Sequence, residues 1–283
     1  MITSLSNPKI KDACKLREGN YRRSTGRFLV DGLREIERGG ISGVSFLGFF
    51  VLESHVEIVL NLLEKFALKN ESSKSKNLTN RSGNYSPEII TVSNPVLDKI
   101  SFGNRNEGVI AIAEIPRERH EQFLNRPQDS LRLIAVLEGV EKPGNIGAIC
   151  RSADGAGLDG IMLVDQLTDL YNPNVIRASL GTIFNMPIIE TDSQKAKIWL
   201  QERNFNIAVA QCNNAITYTK YDYPKPTAIV LGSEANGLSK KWNAPNYTAI
   251  SIPMLGIADS LNVSAAAAVI FYEAKRQQTK QTP

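Results

Sequence analysis

Five short, continuous apolar runs in the second half of this 283-residue chain constrain its fold most strongly. They cover residues 133–137, 160–164, 207–209, 228–231 and 249–252. Runs of this kind are typical of strands that are buried on both faces of a parallel sheet. Helical patterns lie between or after them, at 146–156, 174–180, 194–203 and 261–278. The second half is therefore predicted to be an α/β domain built on a parallel sheet.

The first part of the chain predicts a smaller α/β unit. Strands are predicted at 28–30, 44–52, 88–92 and 109–115, with helical patterns between them. We expect a first domain over 1–115, a charged, proline-bearing linker over 116–130 and the parallel-sheet domain over 131–283. The polar stretch 70–87 has few apolar residues and predicts a mobile surface insertion.

Positive charge is concentrated at the start of the chain. The net charge is +4, and residues 1–40 carry nine Lys and Arg against five Asp and Glu, while the remainder is balanced. Such an excess is typical of a surface that faces phosphate groups, and equally of a solvated helix face.

Cysteine and histidine usage argues against a disulfide framework and a metal site. The three cysteines are far apart and form no paired motif, so we expect a reducing compartment, namely the cytoplasm. The two histidines belong to no cluster with metal-ligand spacing. No stretch approaches the roughly 20 apolar residues of a membrane span, so we expect no membrane partner.

Two glycine-rich strings resemble nucleotide-binding motifs but depart from them. The string at 155–160 (GAGLDG) follows a predicted helix and precedes a strand, which reverses the order of a dinucleotide site and favours a helix end. The string at 232–239 (GSEANGLS) has Leu238 where a phosphate-binding loop needs lysine, and Glu234 would repel phosphate. A neutral or cationic ligand such as S-adenosylmethionine fits it better. The alternative, that this string forms an ordinary strand-to-helix turn without a ligand, remains open.

Two further segments carry polar side chains beside apolar ones. Arg151 falls in an otherwise apolar helical pattern, which predicts either an internal ion pair or a contact to RNA phosphate. Cys150 beside it fits a small core residue better than a nucleophile. Ser260 and Asn262 precede a helix and could simply cap it. The apolar loop at 254–258 could lie against an adenine ring.

Together and in this order, three segments resemble the motifs of the SpoU/TrmH family of RNA 2'-O-ribose methyltransferases. They are 142–153 (KPGNIGAICRSA), 229–239 (IVLGSEANGLS) and 250–268 (ISIPMLGIADSLNVSAAAA). The run 27–35 (RFLVDGLRE) resembles the opening of the substrate-binding domain, related to ribosomal protein L30e, that often precedes the catalytic domain.

The resemblance implies a fold, a cofactor and a set of site residues. The fold is an α/β methyltransferase domain whose C-terminal segment threads a trefoil knot, and two subunits pair to complete the active site. The methyl donor is S-adenosylmethionine. The catalytic positions would be Arg151, Asn145, Glu234, Ser260 and Asn262. The cofactor would be held around Leu231, Gly232, Gly237, Ile252, Met254, Gly256 and Leu261.

RNA is the implied substrate, and the cationic N-terminal segment is the candidate surface for its backbone. The residues concerned are Lys9, Lys11, Lys15, Arg22, Arg23 and Arg27. Ribosomal RNA is the first expectation and transfer RNA the alternative. Two other classes remain as alternatives: an RNA-binding ribosome-assembly factor without catalysis, and a nucleotide-dependent enzyme with a Rossmann-type sheet.

Overall fold

The computed structural model describes residues 1–72, 87–103, 107–116, 123–127, 130–166 and 168–279. The insertion predicted at 70–87 lies almost wholly outside the described residues, as does much of the linker predicted at 116–130. The chain forms two compact units. The first comprises Met1–Pro116 and Leu170–Asn185, and the second comprises Arg117–Asp169 and Met186–Pro283.

The first unit contains a four-stranded sheet in the order β1-β4-β2-β3. Strand β4 is antiparallel to β1 and β2, whereas β2 and β3 are parallel. Helix α1 begins at Pro8, and the side chain of Asn7 caps it by accepting from the Lys9 amide. The elements of this part are α1 (Pro8–Lys15), α2 (Gly19–Thr25), β1 (Arg27–Asp31), α3 (Leu33–Ile41), β2 (Phe46–Val51), α4 (Val56–Ser72), β3 (Glu88–Thr91), α5 (Asn94–Ile100) and β4 (Val109–Glu114).

The second unit is built on a seven-stranded sheet in which every pair of neighbouring strands is parallel. The strand order is β7-β6-β5-β10-β8-β11-β9. In chain order the elements are β5 (Leu133–Glu138), α6 (Pro143–Ala156), β6 (Gly160–Val164), α7 (Pro173–Ala178, in the first unit), β7 (Ile188–Thr191), α8 (Ser193–Glu202), β8 (Asn206–Ala210), β9 (Ile216–Thr217), β10 (Thr227–Leu231), β11 (Thr248–Ser251) and α9 (Val263–Thr279).

The sequence predicted the central strands of this sheet correctly. Strands β5, β6 and β10 are buried at every position, as their continuous apolar runs indicate. Helices α6 and α9 pack against each other. Helix α8 contributes Trp199 and Leu200 to a core cluster with Val136 and Val230. Because all strands are parallel, their carboxyl ends lie along one edge of the sheet.

The segment Leu170–Asn185 packs within the first unit although it belongs to the second half of the sequence. The ring of Phe28 in β1 lies 4.7 Å from that of Tyr171 and 6.0 Å from that of Phe184. Arg38 in α3 donates to the carbonyl of Leu180 at 2.7 Å. This segment was predicted as a helix at 174–180, and it carries α7.

Three chemical features bear on the classes of function. In the part of the chain that the structure describes, no helix is long and apolar enough to cross a membrane. The same residues hold no group of three His, Cys, Asp or Glu side chains that could bind a metal. Cys14, Cys150 and Cys212 form no disulfide, and Cys150 is buried in α6.

Candidate active site

Three loops leave the carboxyl edge of the seven-stranded sheet and carry the candidate polar residues. The loop after β5 leads into α6, which bears Asn145 on its first turn. The turn 232–239 follows β10 and bears Glu234, while the loop 252–262 follows β11 and leads into α9. Strand β10 lies between β5 and β8, and β11 lies beside β8. Neighbouring parallel strands therefore bring these segments to the same edge.

Asn145, Glu234 and Asn262 form a hydrogen-bonded cluster across these loops. The Asn145 Nδ2 donates to Glu234 Oε1. The Asn262 Nδ2 donates to Asn145 Oδ1 at 3.3 Å. Asn145 is half-buried, and the other two side chains are exposed. The cluster joins residues up to 117 positions apart and leaves them accessible to a ligand.

Asn262 also caps α9, so the capping prediction is confirmed. Its Oδ1 accepts from the Ser264 amide at 2.9 Å and from the Ser264 hydroxyl at 2.6 Å. The same side chain therefore fixes the start of α9 with its oxygen and contacts Asn145 with its nitrogen. Ser260 is exposed in the preceding loop and makes no side-chain hydrogen bond with the described residues. The structure does not bring it into the cluster.

The glycines of the turn 232–239 have a steric role. Ser233 and Gly237 exchange two backbone hydrogen bonds, at 3.1 and 2.9 Å. A Cβ on Gly232 would lie 2.3 Å from the carbonyl of Gly237, a distance that no side chain tolerates. Gly237 has φ +63°, which favours glycine. The turn is thus closed tightly on itself, with Glu234 at its exposed end.

A buried carboxylate that the sequence analysis did not single out anchors this turn. Glu138, at the carboxyl end of β5, is 6 % exposed. Its two oxygens accept from the Ser239 amide and the Ser239 hydroxyl, both at 2.7 Å, and from the Ser193 hydroxyl at 3.3 Å. Glu138 therefore ties the end of the turn to the strand that leads into α6. The only sequence signal for it is an acidic residue directly after a buried apolar run.

A second carboxylate extends this network. Asp165, at the end of β6, accepts from the Ser193 hydroxyl and from Lys241 Nζ, the latter at 2.9 Å. The Ser193 hydrogen bond holds the pKa of the Asp165 carboxyl below its ordinary value; partial burial opposes this shift and Lys241 adds to it. Lys241 lies just beyond the turn, so two strand ends hold this segment in place.

Arg151 does not belong to the cluster within one chain. It lies six residues after Asn145 on α6, which corresponds to about 9 Å along the helix axis and about 120° around it. Its side chain is exposed and has no ion pair with any described residue, so the predicted internal ion pair is wrong. The guanidinium is available to an anionic ligand.

The candidate cofactor residues lie at the end of β10, in the turn that follows it and in the loop after β11. Leu231 is buried, Ile252 and Met254 are half-buried, and Leu255 and Ile257 beside them are fully exposed. The remaining candidates are Gly232, Gly237, Gly256 and Leu261. Residues 232–239 and 252–262 include acidic residues and no Lys or Arg. This composition fits a ligand with apolar surface and positive charge, such as the sulfonium of S-adenosylmethionine, and does not fit a phosphate-bearing nucleotide.

The candidate RNA-binding cations of the first unit divide into two groups. Lys11 and Arg23 are exposed, and so is Lys15, which stacks over the Tyr21 ring. Lys9 pairs with Glu88 at 2.6 Å, and Arg27 pairs with Asp12 at 3.1 Å.

The structure contradicts the prediction that Arg22 contacts the RNA backbone. It is 2 % exposed, and its Nη1 donates to the carbonyls of Leu16 and Arg17, both at 2.8 Å. A buried guanidinium committed to backbone oxygens stabilises the end of α1 and cannot meet an RNA phosphate from this position.

Comparison with known proteins identifies the family of the chain. Residues 132–272 match the SpoU rRNA Methylase family, and residues 7–111 match the MRM3-like substrate binding domain. A tRNA/rRNA methyltransferase of Synechocystis sp., itself uncharacterized, is 30 % identical over 281 residues, which cover 98 % of this chain and 94 % of that protein.

Solved structures give the same result. The crystal structure of an RNA 2'-O ribose methyltransferase is similar with a TM-score of 0.80 and 34 % identity, over 98 % of this chain and 99 % of that one. The rRNA methyltransferase of Sinorhizobium meliloti, solved with bound AdoMet, has a TM-score of 0.78 and 25 % identity, over 97 % of each chain.

The fold and the site define an α/β RNA methyltransferase with a substrate-binding domain ahead of it. More specifically, the chain belongs to the SpoU/TrmH family, and the resemblance seen in its three motifs is confirmed.

Proposed function

We propose that this protein transfers a methyl group from S-adenosylmethionine to a ribose 2'-hydroxyl of RNA, with ribosomal RNA as the substrate. The observation that carries the proposal is the Asn145–Glu234–Asn262 cluster, which joins three loops at one edge of the sheet. The 2'-oxygen as acceptor is supported by the similarity to an RNA 2'-O ribose methyltransferase. Ribosomal RNA is supported by the similarity to an rRNA methyltransferase.

The cofactor supplies an activated methyl group on a sulfonium centre. The loop 252–262 offers apolar side chains and free backbone to its adenosine, and the absence of basic residues there suits a ligand without phosphate. Glu234 and Asn145 hold each other in fixed orientations beside it. Asn262 fixes both the Asn145 carboxamide and the first turn of α9. The proposed contribution of these residues is alignment of the ribose with the methyl donor.

Arg151 is proposed to bind an RNA phosphate near the reacting ribose. An arginine remains protonated in proteins, so it is a poor general base, whereas a phosphate that it orients can accept the hydroxyl proton. Because Arg151 lies away from the cluster on α6, we propose that it acts in the site of the partner subunit of a homodimer. Ser260, exposed in the same loop as the cofactor residues, is proposed to contact the ribose. The cytoplasm is the proposed location, since RNA is the substrate.

The proposal is tested by transfer of labelled methyl from S-adenosylmethionine to total RNA, with the RNA fractionated afterwards. We expect label in ribosomal RNA with the wild type and none with Arg151→Ala. Mixing Arg151→Ala with Asn145→Ala subunits restores transfer if the two residues act from different subunits. Label confined to transfer RNA would show that transfer RNA, and not ribosomal RNA, is the substrate. Full activity of Arg151→Ala would overturn the role of this residue.

A further inference from the structure

A groove of about 600 Å³ lies beside the candidate active site in the second unit. Val209 of β8 and Ala249 of β11 are among the residues that line it. The loop 211–214 lines one part of it, and residues 238–240, 242–244 and 247 line another. Its volume falls in the range of about 300–1,000 Å³ that is typical of small-molecule sites.

The lining of the groove is rich in carboxamides. Gln211, Asn213, Asn214 and Asn243 all line it, and none of their side chains makes a hydrogen bond with the described residues. Lys240 contributes one cation, and no acidic residue lines the groove. Carboxamides are the side chains that pair with base edges, and a lone lysine suits a phosphate. This combination points to a nucleotide.

Aromatic side chains also line the groove. The rings of Trp242 and Tyr247 are tilted against each other, with centroids 6.2 Å apart. Trp242 is buried, while Tyr247 is half-buried. Unstacked bases of single-stranded RNA are commonly held against such side chains.

The groove is continuous with the turn 232–239 and is not lined by the candidate cofactor residues. Leu238 and Ser239 belong both to the turn that bears Glu234 and to the groove lining. None of the seven residues assigned to the cofactor lines it. Glu138 holds Ser239, so the position of the groove relative to the turn is fixed.

We propose that this groove binds a nucleotide of single-stranded RNA that neighbours the methylated nucleotide. The carboxamides contact the base, and Lys240 contacts a phosphate. The groove thereby sets which sequence context reaches the site. This assignment rests on the proposed function, because it takes RNA as the substrate.

The test compares groove variants with matched controls. The groove variants are Asn213→Ala/Asn243→Ala and Lys240→Gln, and the controls are Asn246→Ala and Lys225→Gln, which replace exposed residues outside the lining. We expect the KM for the RNA that accepts the methyl group to rise about tenfold in the double variant. We expect an unchanged kcat, an unchanged Kd for S-adenosylhomocysteine and unaltered controls. An unchanged KM would overturn the assignment. Weaker binding of S-adenosylhomocysteine by the double variant would also overturn it, because the groove would then be part of the cofactor site.

A second measurement separates this assignment from the proposed function. Random-sequence single-stranded RNA that contains 4-thiouridine is crosslinked to the wild type, and the crosslinked peptides are identified. Crosslinks in 211–214 or 238–247 that disappear in the double variant support the groove even if no methyl transfer is found. Crosslinks confined to other parts of the chain would overturn it.

Discussion

At the residue scale, Asn145 is central to the candidate site because both ends of its carboxamide are engaged. Its nitrogen donates to Glu234 and its oxygen accepts from Asn262. An amide held at both ends has one orientation, which is the property that a residue must have to align a substrate. Asn262 is in turn fixed by its role as the cap of α9.

Substitution of Asn262 can separate capping from alignment. Asn262→Asp keeps an oxygen that caps α9 and removes the nitrogen that donates to Asn145. We expect Asn262→Asp to retain stability and lose most methyl transfer, and Asn262→Ala to lose transfer together with about 1 kcal/mol of stability. Denaturant unfolding and initial rates of transfer measure the two effects. If Asn262→Asp is as active as the wild type, the contact with Asn145 is dispensable.

At the element scale, the turn 232–239 is held at both of its ends. Gly232 packs against the backbone of Gly237 at the start, and Ser239 is bound by Glu138 at the end. Glu138 belongs to the strand that leads into α6, so one carboxylate sets the spacing between Glu234 and Asn145. The turn can therefore present Glu234 without a helix behind it.

Removal of Glu138 tests this anchoring. Glu138→Ala leaves the Ser239 amide and the Ser239 hydroxyl without their acceptor, whereas the Ser193 hydroxyl keeps Asp165. We expect a loss of about 1–3 kcal/mol in the free energy of unfolding. Methyl transfer should fall as well, because Glu234 is no longer held. Glu138→Gln keeps the size and one acceptor oxygen and should recover part of both. Equal transfer by all three proteins, measured per folded molecule, would show that the anchor is irrelevant to activity.

The sequence predicts five of the seven strands of the parallel sheet. Strands β5, β6, β8, β10 and β11 were predictable because burial on both faces requires continuous apolar runs. Strand β9 has only two residues, and β7 includes Glu190, so neither produces such a run. Both were missed.

The same limits apply to the site. Asn145, Glu234 and Asn262 were named as candidates through the resemblance of three motifs to the SpoU/TrmH family, and the structure brings these three side chains into contact. Glu138 could not be predicted, because its partner Ser239 is 101 residues away and burial of a carboxylate depends on tertiary structure. Arg22 was misassigned for the same reason, since its burial depends on the chain reversal at Leu16 and Arg17.

At the scale of the whole molecule, the two units match two different families. The first matches a substrate-binding domain and the second a methyltransferase domain. The compact units do not follow the sequence order completely, because Leu170–Asn185 packs within the first unit. The trefoil knot implied by the family stays a prediction.

The cations of the first unit predict a salt-dependent contribution to RNA binding. Lys11→Gln/Arg23→Gln removes two exposed charges, so we expect weaker RNA binding and a log–log salt slope that is smaller by roughly one to two. Lys65→Gln, which removes an exposed lysine paired with Glu37 in the same unit, is the matched control. A double variant with the wild-type slope would remove these residues from the RNA interface.

The proposed acceptor of the methyl group is a ribose oxygen of RNA. The most direct measurement labels RNA with methyl from S-adenosylmethionine, hydrolyses the product in alkali and identifies the labelled fragments. A 2'-O-methyl group blocks cleavage at the neighbouring phosphodiester, so we expect label in alkali-resistant dinucleotides. Label in mononucleotides with a methylated base would contradict it.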